Sequence, residues 1–200
     1  MLAPSASAAE DVTPLGSSGG GRGKVCITFD DEVKSVYDYA YPVMSAAGIT
    51  ATMFVVTDWI GGETSKSHAP CMDVTELHVL QSSGWEIGSH SVSHRAFTGL
   101  SPEEITYEYA ESRNILVNLG FEVDTFAYPY GSFTPDMISE GREYYSRLRT
   151  TSNNMISGNF MSEYPNSLPT TGAYMDVLSW DQVKSLIDRA IYTDTTVILL

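Results

Sequence analysis

Hydrophobic and polar positions along the chain fall into a repeating rhythm of short apolar runs and longer periodic ones. Lys24 to Phe29 is a compact run of the kind a buried strand requires, whereas Val33 to Ala47 carries apolar residues at helical spacing and ends at Gly48. The step then recurs. Thr50 to Val56 predicts a second strand, a polar loop rich in Gly, Ser and Thr runs to Met72, and Val74 to Ser83 predicts a helix with Asp73 as N-cap and Gly84 as its stop. Trp85 to Gly88 predicts a short third strand. Pro102 to Leu119 carries the fullest helix signature: Ser101 caps it, Pro102 takes the first helical position, Glu104 completes a capping box and Gly120 ends it. Beyond it Phe121 to Tyr128 predicts a strand, Pro135 to Tyr145 a helix, Arg147 to Thr150 a strand, Trp180 to Ile191 a helix and Thr195 to Leu200 a last apolar strand. Thr151 to Met175 fits neither template. Repeated β-α alternation predicts an α/β fold whose parallel sheet, open or closed into a barrel, is covered by helices. In either form chemistry belongs at the C-terminal ends of the strands.

A length of 200 residues suits one domain. Residues 1–23, rich in Ala, Ser, Gly and Pro, predict a flexible leader ahead of a domain over 24–200. Ala6-Ser7-Ala8 fits an export cleavage site, but no charged and apolar stretch precedes it, so an ordinary small-residue leader fits equally. Eleven basic against twenty-five acidic residues give a net charge of −14, which disfavours nucleic acid and anionic membranes as partners. No apolar run is long enough to span a bilayer. The two cysteines make no disulfide framework, and Cys26 is expected to pack as a small hydrophobe.

Three segments follow predicted strands and fall at the reactive edge: Thr28-Phe29-Asp30-Asp31, His90-Ser91-Val92-Ser93-His94, and Phe126-Ala127-Tyr128-Pro129-Tyr130-Gly131. Adjacent carboxylates at a strand end point apart, so that one can bind a cation while its neighbour handles a proton. Two histidines four apart would share one side of a helical turn, within reach of one metal. Each pattern alone has a plainer reading: a turn or helix cap for the Asp pair, hydrogen-bonded histidines for the His pair, a good turn for Tyr128 to Gly131. Their joint occurrence, in order and each at a strand end, favours chemistry.

On these three motifs, and on Ala51 to Val55 and Gly84 to His90 beside them, the chain from about Lys24 to Leu200 resembles the polysaccharide deacetylases, carbohydrate esterase family four with its NodB homology domain. The resemblance implies a distorted (β/α) barrel of about seven parallel strands, with the last strand at or near the chain end. It implies Asp30 as general base, Asp31, His90 and His94 as ligands of a divalent metal, most simply Zn²⁺, and the Tyr130 N–H as an oxyanion donor. Tyr128, Pro129 and Tyr130 would line the substrate groove, with Trp59 and Tyr164 as further stacking surfaces. The activity implied is hydrolysis of acetyl groups on N-acetylated sugars of a polysaccharide. The same site suits an O-acetyl xylan esterase, and a glycan-binding domain without turnover is the reading from another class. Localisation outside the cell or in its envelope follows from the resemblance.

The sequence departs from the family pattern at several points. Ala127 stands where many members carry an Arg that orients the base, and Arg149 after the next strand is the candidate replacement. Glu32 and Val33 replace a Gly and an aromatic, and Glu32 is expected to be a helix-start carboxylate. The family's general acid, a His after the last strand, would fall beyond Leu200, so either the domain over 24–200 stops short of its natural end, the reading an apolar terminal strand favours, or the acid is absent and activity is weak. Trp180 is expected to pack in the core rather than serve as a groove Trp, and His68 with Cys71 is too sparse for a second metal site.

Overall fold

A computed structural model describes residues 24–151, 167–169, 178–193 and 196–200. The expected leader over 1–23 and Tyr164 lie outside the described residues. Seven strands, β1 (Lys24–Asp30), β2 (Thr52–Val55), β3 (Glu86–Ser89), β4 (Thr125–Ala127), β5 (Arg147–Thr150), β6 (Ser167–Pro169) and β7 (Thr196–Leu199), pair in the order β6-β5-β4-β3-β2-β1-β7. Every pair is parallel. The crossovers carry helices α1 (Tyr41–Ala46), α2 (Val74–Ser82), α3 (Pro102–Asn118), α4 (Pro135–Gly141) and α5 (Trp180–Thr193).

Strand alternation divides the sheet into two faces. Ile27, Phe29, Met53, Val55, Ile87, Phe126 and Leu148 point outward into one apolar core with Leu77 and Leu80 of α2 and Ile105, Tyr109 and Leu116 of α3. The intervening positions, Thr28, Thr52, Phe54, Thr125 and Arg149, line a cavity of about 100 Å³ on the opposite face. In a flat sheet β1 and β5 would lie roughly 19 Å apart, four strand spacings. The side chain of Arg149 on β5 nevertheless bonds Asp30 on β1, so the sheet must curl until its inner face closes on itself. That is the expected distorted barrel, and the cavity is its lumen.

The capping signals read from the sequence are present. Asp73 accepts the Glu76 N–H at 2.9 Å while its own N–H donates to Glu76 at 3.1 Å, and Ser101 with Glu104 repeats the exchange at the head of α3. Three boundaries differ from expectation. The first helix passes through a π-helical turn over Val36–Ala40 before α1. The strand expected from Phe121 shrinks to three residues, because Phe121 and Val123 alternate correctly but fill the core ahead of the ladder, which joins β3 at Ser89 opposite Phe126. The helix expected to reach Tyr145 ends at Gly141, whose carbonyl takes the N–H groups of both Tyr144 and Tyr145.

Two packing expectations are overturned. Cys26 lines the lower mouth of the lumen and is exposed, because its strand position faces inward where the sheet is open. Trp180 is 72% exposed at the start of α5, whose buried contacts come from Val183 and Ala190 further along. Among the described residues no helix is long and apolar enough to cross a membrane.

Candidate metal centre and active site

The chain leaves β1 through two non-glycine residues in the left-handed region, Asp31 at φ 69° and Glu32 at φ 35°. Such backbone costs of order 1–3 kcal/mol per residue and persists only where surroundings enforce it. Here the Glu32 side chain accepts the Val56 N–H at 2.8 Å and its carbonyl accepts the Met72 N–H at 2.9 Å. The turn sends three consecutive carboxylates in three directions. Asp30 points into the lumen to Arg149, Asp31 to the histidines and Glu32 into the interior. Glu32 is therefore fully buried and does not serve as a helix-start carboxylate. Burial pushes its pKa well above the usual range against the pull of the Val56 hydrogen bond.

His90 and His94 come together by a route other than the helical turn that their spacing suggested. Their segment is an irregular loop with Ser91 at φ 74° and His94 at φ 56°. The Ser91 hydroxyl accepts the His94 N–H at 3.0 Å. The carboxylate of Glu108 on α3 accepts the N–H groups of Val92 and Ser93 at 2.8 and 3.0 Å, together with the Ser93 hydroxyl. Glu108 thus satisfies donors that no ladder reaches. His90 donates its Nδ1–H to the Ala127 carbonyl at 2.8 Å, which leaves the Nε2 lone pair facing the site.

Asp31 Oδ1 lies 3.2 Å from His94 Nε2 and 3.7 Å from His90 Nε2, and it is buried without a hydrogen-bond partner. Donors about 2.1 Å from one tetrahedrally coordinated ion would stand roughly 3.4 Å apart, so this orphaned oxygen and the two nitrogens fit a divalent cation. Among the described residues these three side chains form the one His, Cys, Asp and Glu group close enough to hold a metal. His68 instead pairs with Glu63 at the surface while Cys71 is buried, which separates the pair set aside earlier.

The electrostatics suit that role. Burial drives the His94 pKa down to about 4, aided by the charge of Lys66 and opposed by Asp30, and burial likewise lowers His90. Both imidazoles are neutral near pH 7. Burial also raises Asp31, with His90 pulling against it and the charge of Asp30 adding to it. Asp30 behaves oppositely: burial pushes it up, but the Arg149 guanidinium and the nearby imidazoles outweigh burial and hold its carboxyl below the usual range. Arg149 is itself 2% exposed and stacks over the Phe54 ring at 4.9 Å. The geometry agrees with the sequence reading that Arg149 replaces the Arg missing at Ala127.

The third motif splits. Tyr130, in a left-handed conformation at φ 57°, is 51% exposed and meets His94 edge-on at 4.7 Å. The next residue must be glycine, since a Cβ on Gly131 would overlap the Thr151 side chain. Tyr128 and Pro129, expected to line the groove, are buried. Tyr128 lies two residues after core-facing Phe126 and shares its face, with its ring against Phe97 and its hydroxyl accepting from Tyr109 at 3.0 Å. That alternation was readable in the sequence. Trp59 is nearly buried behind His94, its ring 4.9 Å away. Glu108 was not foreseen, because nothing in a helical Glu distinguishes a loop clamp from a solvated face.

A profile of the polysaccharide deacetylase family matches residues 18–147. YxkH of Bacillus subtilis is 30% identical over 115 residues, which make up 57% of this chain and 39% of YxkH. The poly-β-1,6-N-acetyl-D-glucosamine N-deacetylase of Staphylococcus epidermidis is 29% identical over 124 residues, 57% of this chain and 43% of that protein. The chain thus spans less than half the length of either relative. Among solved structures, the deacetylase PplD of Streptococcus pyogenes, in complex with acetate, superposes with a TM-score of 0.63 at 25% identity, covering 72% of this chain and 62% of that one.

Proposed function

The chain belongs to the polysaccharide deacetylase family, and from that membership we propose a metal-dependent hydrolase that removes acetyl groups from N-acetylated sugars of a polysaccharide. The observation that carries the proposal is the unpartnered Asp31 oxygen facing two neutral imidazoles, with a charged, Arg-held Asp30 beside them. Asp31, His90 and His94 would hold the cation, and two nitrogens with one oxygen suit Zn²⁺. Once bound, it supplies Lewis acidity that polarises an acetyl carbonyl and makes a water acidic enough to react near neutral pH.

The remaining work falls to the chain itself. Asp30 accepts the proton of the attacking water, and Arg149 keeps that carboxylate ionised and aimed from below. The Tyr130 N–H, set by its left-handed backbone beside His94, donates to the oxygen on which negative charge develops. The half-exposed Tyr130 ring stands at the rim of the site beside His94. Support for the amide linkage comes from the staphylococcal relative, named as an N-deacetylase.

The test is acetate release by zinc-loaded protein from N-acetylated oligosaccharides and from O-acetylated xylan, with His90→Ala as background. Release from the N-acetylated panel alone is expected. Release from xylan alone would replace the amide reading with an ester one, and silence on both panels would overturn the enzymatic reading.

A further inference from the structure

The loop between β2 and α2 brings to the site a residue for which the mechanism has no use. Thr64, 5% exposed, ties its base together: its N–H donates to the Ala69 carbonyl at 3.0 Å, and its hydroxyl accepts the Ala69 N–H at 3.2 Å. A second tie joins the Cys71 N–H to the Gly62 carbonyl at 2.9 Å. On this fixed loop Lys66 extends over the Tyr130 ring, its Nζ 4.4 Å from the centroid. It lines a cavity of about 150 Å³ with Asp31, Trp59, His94 and Tyr130, immediately beside the candidate metal ligands. Among the described residues Lys66 makes no ion pair, in a chain of net charge −14 where carboxylates are plentiful. Arg149, the nearest other cation of the site, is committed to Asp30.

We propose that Lys66 reads the charge of the sugar next to the one being deacetylated, selecting an acidic glycan whose neighbouring residue carries a carboxylate. This rests on the deacetylase reading above and names its substrate class. An ammonium held over an aromatic ring at the rim attracts an anion arriving with the glycan and repels a free amine at the same place. A neighbour that has already lost its acetyl group is therefore disfavoured, so successive reactions along one chain are spaced apart.

Three N-acetylated oligosaccharides matched in length, with a carboxylate, a neutral group or an amine on the adjacent sugar, test the proposal by kcat/KM and by equilibrium binding. Wild-type protein is expected to prefer carboxylate to neutral by about fivefold and neutral to amine by a similar factor. Both gaps should shrink as salt rises, because the ammonium is exposed. Lys66→Met should bring the carboxylate-to-amine ratio close to one, Lys66→Glu should invert it, and Lys66→Arg should keep it. A ratio unchanged in Lys66→Met overturns the proposal. The binding ratios read Lys66 without turnover, so a protein that releases no acetate at all would refute the deacetylase reading and still decide this one.

Discussion

The two faces of the sheet are made from the same seven strands yet obey different rules. The outward face is apolar and repetitive: Met53, Ile87, Phe126 and Leu148, all fully buried, pack on helices whose own stripes match them. The inward face carries many polar side chains, and each of its key contacts is individual: Arg149 to Asp30, Arg147 to Glu86, and three Thr around a small lumen. Burial of apolar area is non-directional, so many sequences can make the outer face. A buried charge needs a particular partner in a particular place. The difference separates what holds this fold from what its site can do, and substitutions on each face should move different observables.

The largest effect is expected on the inner face. Asp30→Asn removes the proposed base while preserving shape, and should lower kcat by about 10²–10⁴-fold. Metal affinity, measured by titration calorimetry, should change little, because Asp30 is not among the three ligands. Loss of metal along with activity would blur the contrast between base and ligand.

The outer face should respond in stability alone. Leu116→Ala, at a fully buried position on α3, should cost roughly 2–5 kcal/mol in urea unfolding. At temperatures where the variant stays folded, the zinc affinity should match that of the parent.

Arg149→Met tests the link between the faces and the reaction. It should reduce kcat/KM by about 10- to 100-fold, the usual effect of losing an outer partner of a reactive group. It should also carry a signature that a purely structural loss lacks. Without the guanidinium, burial raises the Asp30 pKa, so the acid limb of the pH–rate profile should move to higher pH.

The smallest effect concerns Glu32. Its folded pKa is raised, so above about pH 4.5 the folded chain keeps a proton that the unfolded chain has lost, and stability falls as pH rises through the folded value. His94 acts oppositely: between pH 6.5 and about 4 the unfolded chain binds the extra proton, so stability falls as pH drops. Melting curves at pH 5 and pH 8 should show Glu32→Gln losing the first dependence and keeping the second.

The same contrast explains what could be read in advance. Short apolar runs, the N-cap at Asp73, the capping box at Ser101 and the strand from Lys24, which runs one residue past the expected Phe29, depend on neighbours within a few residues, and they were legible. The candidate ligands Asp31, His90 and His94 stood out as motifs, but the irregular loop that joins the histidines did not, because a left-handed Ser91 leaves no periodic trace. Arg149 could be nominated only from the vacancy at Ala127. Its contact with Asp30 spans 119 positions and exists only in the folded chain. Glu108 and Lys66 carry no local mark at all, since their roles come from what the folded chain brings beside them. Tyr128 was misplaced by attention to its motif over its parity with Phe126.

The bond from Arg149 to Asp30 also orders events during folding. Asp31, His90 and His94 lie on the stretch from β1 to just past β3 and their supports, Glu108 and the Ala127 carbonyl, on α3 and β4, whereas Arg149 arrives last, with β5. Loop closure over longer separations is slower, so contacts within the first four strands have a kinetic advantage over the one that spans the lumen. A nascent or partly folded chain can therefore acquire a cation-binding cup before its base is oriented. If the cup holds a cation, its binding can precede competence for chemistry, which waits for the barrel to close across the lumen.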